Sequence, residues 1–277
     1  PKKVYMEDKM LDFEDVDAQV LANNQQAWVF SSENNWHGFD DMEDNYAMLD
    51  PIKLTFTTPG IDDQGNMADE GIPASIVTNY LIDKGIVCEK TDYYSFLLLN
   101  SLGTTKAKQG TLLAALLGFK ALYDANVPAY QALPDLAETC PDVYEGVGLK
   151  DHCNDIHGYF RKHNILSRMQ DAFQIIPDQV MKPSEAYHEV VRKNVEYVEL
   201  DEMMGRTPAV MMVPYPPGIP IIMGGEMMNE KARPIFEYLK LRQDFENRFP
   251  GYESDIHGVE RTERDGKKFF RTLCVKK

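Results

Sequence analysis

The sequence is short of cysteine, of basic residues and of long uninterrupted apolar runs, and each shortage closes off a class of function. Its four cysteines, Cys88, Cys140, Cys153 and Cys274, form no CxxC pair. A disulfide framework is therefore not expected, and reduced thiols in a cytoplasmic protein are. Lysine and arginine total 29 against 44 aspartates and glutamates, a formal net charge of -15. No dense Lys/Arg run reverses that locally, so neither nucleic acid nor an anionic membrane surface is an expected partner. The longest uncharged run, Thr207 to Gly225, contains Pro208, Pro214, Pro216, Pro217 and Pro220, which a lipid-exposed helix does not tolerate. The first residues mix Lys, Asp and Glu without an apolar core, so no secretory signal is expected. GxGxxG, GxSxG, HExxH and P-loop patterns are all missing, which leaves dinucleotide-binding, hydrolase, zincin and NTPase functions without their usual support.

What is there suits ordinary globular packing. The chain has 277 residues, of which 43% are hydrophobic and 10% aromatic, enough for a core that needs no disulfide support. Lys53 to Thr58 reads as a strand closing at Pro59-Gly60. A helix follows in which Pro73 suits the first turn, Ile76, Val77, Tyr80 and Leu81 share a face, and Gly85 supplies the stop. Ile86-Val87-Cys88 and Tyr93 to Leu99 read as short apolar strands, with Glu89 at the end of the first. From Thr104 to Asn126, Leu112, Leu116, Phe119 and Tyr123 recur at helical spacing. The proline-rich segment 127–142 reads as the connection between two lobes. Helices are expected around Leu149 to His163, Ser167 to Ile176 and Ser184 to Lys193, the last with Ser184 as N-cap. Strands are expected at Glu196 to Leu200, Ala209 to Val213 and Ile219 to Met223. A helix from Lys231 to Arg248 and a strand from Lys268 to Val275 complete an α+β pattern.

Three groups of residues could carry chemistry. Cys153 and His157 share a helical face beside His152, the geometry of half a metal site. A closed zinc site needs four ligands and no others are near in sequence, so a structural role is the expectation and no metal is assigned. Glu89, at a strand end before Tyr93-Tyr94, could hold the cationic end of a substrate in a partly desolvated site, or could form a salt bridge with Lys90 or another neighbour. Tyr215 in Pro214-Tyr215-Pro216-Pro217-Gly218 sits on a stiff turn, where its phenol could bond a ligand or merely pack.

Several words in the sequence, in order, carry a resemblance. Trp36-His37-Gly38-Phe39, Leu49-Asp50-Pro51-Ile52-Lys53, Gly71-Ile72-Pro73-Ala74-Ser75, Gly85-Ile86-Val87-Cys88-Glu89-Lys90-Thr91, the PYPPG turn, Phe249-Pro250-Gly251 and Asp255-Ile256-His257-Gly258 look like the bacterial fold-type-I lysine, arginine and ornithine decarboxylases. The chain resembles the C-terminal portion of those enzymes. The resemblance implies the small α+β subdomain of the aminotransferase-like core over 1–126 and the α+β C-terminal domain over 127–277, with the large pyridoxal 5'-phosphate domain absent. It implies that the cofactor is attached outside this chain, since the family's Ser-x-His-Lys segment does not occur, and that the aspartate facing the cofactor's ring nitrogen, from an Asp-x-Ala-x-x segment, also lies elsewhere.

By position in these words, Glu89 matches the family's carboxylate near the distal amine of the substrate, and Tyr215 matches an aromatic residue lining the same entrance. The resemblance also implies a basic amino acid substrate, a homodimer or higher homo-oligomer, and a reaction that consumes a proton, as in polyamine formation under acid stress. The segments Tyr94 to Leu99, Tyr123 to Asn126 and Ala209 to Met223 look most like lysine decarboxylases, with arginine next. A non-catalytic assembly module descended from the same domains is the competing expectation; it would be free to lose Glu89 and Tyr215.

Overall fold

The structure, a computed structural model, describes residues 3–6, 9–32, 42–62, 64–215 and 217–277. Helices and short antiparallel strands mix along the chain in the expected α+β manner. Two compact units form, one from Pro1–Leu54 with Leu98–Thr104 and the other from Thr55–Leu97 with Thr105–Lys277. This division does not fall at 126/127.

In the smaller unit, β1 (Lys3–Met6) pairs antiparallel with β2 (Lys9–Asp12), and Lys3 and Asp12 meet in an ion pair at 2.9 Å. Helix α1 (Ala18–Asn23) starts at Asp17, whose carboxylate accepts the amides of Gln19 and Val20. Val4, Met6, Leu21 and Ala27 make the core; Trp28 packs on it and donates its indole N–H to the Leu21 carbonyl at 2.8 Å. The Trp36-His37-Gly38-Phe39 word lies outside the described residues.

The larger unit opens on β3 (Lys53–Thr57), α2 (Ala74–Asp83), β4 (Lys90–Thr91) and β5 (Ser95–Leu99). These three strands, most of whose residues belong to this unit, form one sheet with β5 in the middle. Ile76, Val77, Tyr80 and Leu81 of α2 are buried, as their spacing predicts. The helix stops at Gly85, at φ 73°, and the amides of Gly85 and Ile86 turn back to the carbonyls of Ile82 and Leu81, a Schellman arrangement. The Ile86 N–H is thereby spent on the cap. The strand expected at Ile86 to Cys88 does not form, and Val87 is 77% exposed.

Helix α3 (Lys106–Asp124) is capped by Thr105 and buries Phe119, while Leu112, Leu116 and Tyr123 are half-buried. The connection expected over 127–142 is instead helical, in α4 (Pro134–Thr139) and α5 (Pro141–Tyr144). Two of the prolines that suggested a loop, Pro134 and Pro141, stand in the first turns, where the missing N–H costs nothing and the fixed φ suits the helix. Then come α6 (Leu149–Lys162), α7 (Ile165–Gln174), β6 (Asp178–Gln179) and α8 (Pro183–Val191). Ser184 is not the cap of α8. Pro183 already occupies the first turn, and Glu185 reaches back to accept the Lys182 amide at 2.9 Å.

The remaining elements are β7 (Val195–Glu199), β8 (Val213–Pro214), β9 (Glu226–Met227), α9 (Arg233–Arg248), β10 (Ile256–His257), β11 (Glu260–Arg264) and β12 (Lys267–Val275). β12 is the middle strand of an antiparallel sheet between β11 and β7. Its hairpin with β11 turns on Asp265-Gly266, at φ 51° and 70°, the geometry Asp-Gly favours in a two-residue turn. The strands expected at Ala209 to Val213 and Ile219 to Met223 reduce to β8 and a bridge between Met212 and Ile222. Pro220, beside that bridge, has no N–H to extend the ladder.

Strand β7 pairs with Arg271–Val275 only, so the first residues of β12 lack a strand neighbour on that edge. Helix α9 supplies one from its side chains. Gln243 accepts the Phe270 amide at 2.7 Å, and Asn247 both accepts from the Lys268 amide and donates to its carbonyl. Two amides one turn apart thus replace a strand.

His152, Cys153 and His157 lie on the buried face of α6. His152 Nε2 bonds the Tyr252 hydroxyl at 2.8 Å; His157 bonds the Tyr94 hydroxyl through Nδ1 at 2.7 Å and the Ala68 carbonyl through Nε2 at 2.9 Å. Burial pushes the Cys153 thiol up to about 12, away from the thiolate that a metal binds. Packing and hydrogen bonding therefore account for this cluster. Gly71 is part of it, because a Cβ there would fall on the His157 ring.

Gly71→Ala is accordingly expected to lower unfolding free energy by about 1–3 kcal/mol through overpacking; an unchanged denaturant midpoint would contradict the packing. Burial also lowers His152 from its ordinary 6.5 to about 4. Below 6.5 the unfolded chain takes up a proton that the folded chain refuses until about 4, so this stabilisation is complete above that window and lost on descending through it. The loss amounts to about 3 kcal/mol. In urea titrations across this range, His152→Gln should show a shallower pH dependence than the parent; parallel curves would refute the assignment.

Candidate functional site

Glu89 immediately precedes β4, and its amide donates to the Leu97 carbonyl at 2.8 Å. That bond fixes the backbone at the strand end while the side chain projects outward. The residue is exposed, not partly desolvated as its apolar neighbours suggested. The carboxylate has no hydrogen-bond or ion-pair partner among the described residues, and the expected pairing with Lys90 does not occur. Lys90 instead extends its Nζ to the carbonyl of Pro217, at 2.8 Å and 127 residues away. The strand end bearing Glu89 is thereby tied to the turn bearing Tyr215.

Tyr215 is positioned by three contacts. Its amide donates to the Asp255 carbonyl at 2.8 Å, continuing the ladder in which Pro214 faces Ile256 and Val213 faces His257. Its ring tilts against His257 at a centroid separation of 5.1 Å. Beneath it runs Gly218, at φ 82°, where a Cβ would come within 2.7 Å of the ring; only glycine lets the backbone pass there. The phenol oxygen forms no hydrogen bond among the described residues, and the side chain is 45% exposed. His257 in turn bonds Asp255 at 2.7 Å.

Two sequence words are therefore one structural unit, since the strand built from Asp255-Ile256-His257 is the partner of the PYPPG turn. Gly258 completes it, at φ 78°, because a Cβ there would strike the Met211 carbonyl. Phe249-Pro250-Gly251 plays a similar part: the Pro250 carbonyl accepts the Tyr144 hydroxyl at 2.7 Å, and Gly251 makes room for Leu136. The order of the words in the sequence was the available signal for the Asp255–His257 support. Nothing local pointed to Lys90, whose partner is distant in the chain.

An unpaired carboxylate and an unpaired phenol on one braced surface can accept an ammonium or a guanidinium. The same residues do not provide for pyridoxal phosphate. No lysine among the described residues is buried, whereas an imine-forming lysine needs a desolvated setting. The word Asp-x-Ala does occur, at Asp135-Leu136-Ala137, contrary to the sequence expectation. Its aspartate is exposed in the first turn of α4, so it offers no buried charge for a ring nitrogen.

Comparison with known proteins assigns both parts of the chain to one family. Residues 2–108 match the family model described as Orn/Lys/Arg decarboxylase, major domain, and residues 166–276 that described as Orn/Lys/Arg decarboxylase, C-terminal domain. Lysine decarboxylase LdcA of Pseudomonas aeruginosa is 44% identical over 249 residues, which are 90% of this chain and 33% of that protein. A lysine decarboxylase of Hafnia alvei is 42% identical, over 87% of this chain and 32% of its own length. The solved structure of Escherichia coli constitutive lysine decarboxylase superposes with a TM-score of 0.84 at 38% identity, covering 92% of this chain and 35% of that one. The chain thus spans about a third of the length of the curated relatives it matches.

Proposed function

The chain belongs to the Orn/Lys/Arg decarboxylase family, and from that membership we propose that it is the substrate-recognition portion of a pyridoxal-phosphate-dependent decarboxylase acting on a basic amino acid. Lysine, giving cadaverine and carbon dioxide, is the favoured substrate, and arginine, giving agmatine, the next. The favour for lysine rests on the segments Tyr94 to Leu99, Tyr123 to Asn126 and Ala209 to Met223, together with the names of the relatives. The observation that carries the reading is the Glu89 carboxylate, left unpaired at a strand end that Lys90 binds to the Tyr215 turn.

In this reading Glu89 accepts hydrogen bonds from the distal cationic end of the substrate, and Tyr215 borders the entrance. A charge-assisted contact of that kind becomes stronger once water is excluded. The exposed Glu89 therefore gains its desolvated setting from the cofactor domain or from a neighbouring copy in a homodimer or higher homo-oligomer. Loss of carbon dioxide leaves a carbanion that requires the cofactor as electron sink, and we place that cofactor and its lysine outside this chain. The isolated chain is accordingly expected to be inactive. The reaction takes up one proton per turnover, which suits a cytoplasmic enzyme that counters acid stress.

We further propose 126/127 as the family's domain boundary. The two matched spans, which stop short of it on one side and begin beyond it on the other, support that division. No helix among the described residues is long and apolar enough to cross a membrane. The assembly-module alternative gains no support from the site, since both Glu89 and Tyr215 are present and braced.

The test is kinetic, in the full-length enzyme. Glu89→Gln is expected to lower kcat/KM for lysine by about 10- to 100-fold, chiefly through KM, and Tyr215→Phe by several-fold. Unaltered kcat/KM in a folded Glu89→Gln enzyme would overturn the assignment.

A further inference from the structure

One buried charge in the larger unit is not accounted for by the recognition site. Arg242 of α9 is 3% exposed, and no carboxylate lies within ion-pairing distance of it among the described residues. Its Nη1 donates to the hydroxyls of Tyr93 and Tyr238, at 3.1 and 3.0 Å. The Tyr93 phenol does not neutralise it, because burial pushes that hydroxyl well above its ordinary value and keeps it protonated. Among the described residues neither Nε nor Nη2 makes a hydrogen bond, and Nε is fully buried. A buried guanidinium without a counter-ion is costly; the two hydroxyls and the faces of the Tyr93 and Tyr238 rings, each 5.8 Å away, offset part of that cost, and an anion would offset more.

Arg242 lines a half-open cavity of about 250 Å3 between α2, α6, α9 and the 251–254 turn. Ser254 lines the same cavity, and its hydroxyl is a second buried group with no partner. The wall also contains two carboxylates. Glu253 is committed to Lys268 and to the Gly251 amide, and Asp92 accepts the Tyr93 amide at 2.7 Å. These charges oppose a polyanion such as phosphate but leave room for a singly charged group on the Arg242 side.

We propose that this cavity is a binding site for a small organic monocarboxylate, held by the Arg242 guanidinium with the Ser254 hydroxyl as second donor. The carboxylate oxygens match the planar donor fork of arginine. The organic remainder lies along Phe160, Phe245 and Tyr252, which share the wall. Tyr215 also borders the cavity, so an occupied site would touch the turn used for substrate recognition. Binding can be read on this chain alone, and it stands or falls independently of the decarboxylase assignment.

The experiment is thermal unfolding and acetate-methyl NMR line broadening on the chain, with acetate and butyrate compared with chloride at matched ionic strength. A saturable rise in Tm is expected, with affinity about tenfold weaker in Arg242→Met and about two- to threefold weaker in Ser254→Ala. If Arg242→Met does not fold, Arg242→Lys, which keeps charge but loses the fork, is expected to weaken binding several-fold. Equal binding by the folded Arg242 variant, absence of saturation in the parent, or tighter binding of inorganic phosphate than of acetate would each overturn the proposal.

Discussion

The buried ion pair between Glu246 and Arg261 is the interaction on which the Tyr215 turn and its partner strand depend. The Glu246 side chain has no exposure, and its two oxygens receive Arg261 Nε and Nη2, each at 2.7 Å. The same Arg261 also donates to the Ser254 carbonyl, and Glu246 accepts the Ser254 amide at 3.3 Å. Helix α9, strand β11 and the segment entering β10 are locked together at one point. Asp255, next in the chain, receives the Tyr215 amide. Removing one partner of such a pair costs about 3–5 kcal/mol because the other charge remains buried, a large share of a typical domain's total stability.

Helix α9 buries three polar side chains, Arg242, Gln243 and Glu246, and sets Asn247 at the rim, and each has a separate task. Arg242 meets the two tyrosines, Gln243 and Asn247 complete the edge of β12, and Glu246 holds Arg261. The spacing of one turn relates Arg242 to Glu246 and Gln243 to Asn247 along the helix. Apolar burial supplies most of the driving force for this unit, while the polar contacts settle which strand edge α9 covers.

Helices whose buried residues recur at one-turn spacing were legible in the sequence, since α2, α3, α6 and α9 follow the apolar pattern of their own residues. The failures share a different cause: the deciding partner was remote or the deciding atom was in the backbone. Ile86 looked like strand but spends its N–H on the α2 cap. Pro134 and Pro141 looked like breakers but start helices. Asp265-Gly266 is a readable turn signal, and β11 is the strand that this turn pairs with β12. Glu89 and Tyr215 were legible as residue types, and the family words located them. That Lys90 would join their two segments and leave Glu89 unpaired could be seen only once the chain was folded.

The family words that carry the resemblance are largely backbone necessities, as Gly218, Gly251 and Gly258 illustrate, and they hold the exposed side chains in place. The account assigns substrate recognition to this segment and the electron sink to another. The most direct measurement is carbon dioxide release from lysine by the purified chain with added pyridoxal phosphate, alongside borohydride reduction and mapping of any modified lysine. The account predicts no turnover and no single preferred lysine adduct; turnover with one specifically modified lysine in this chain would contradict it.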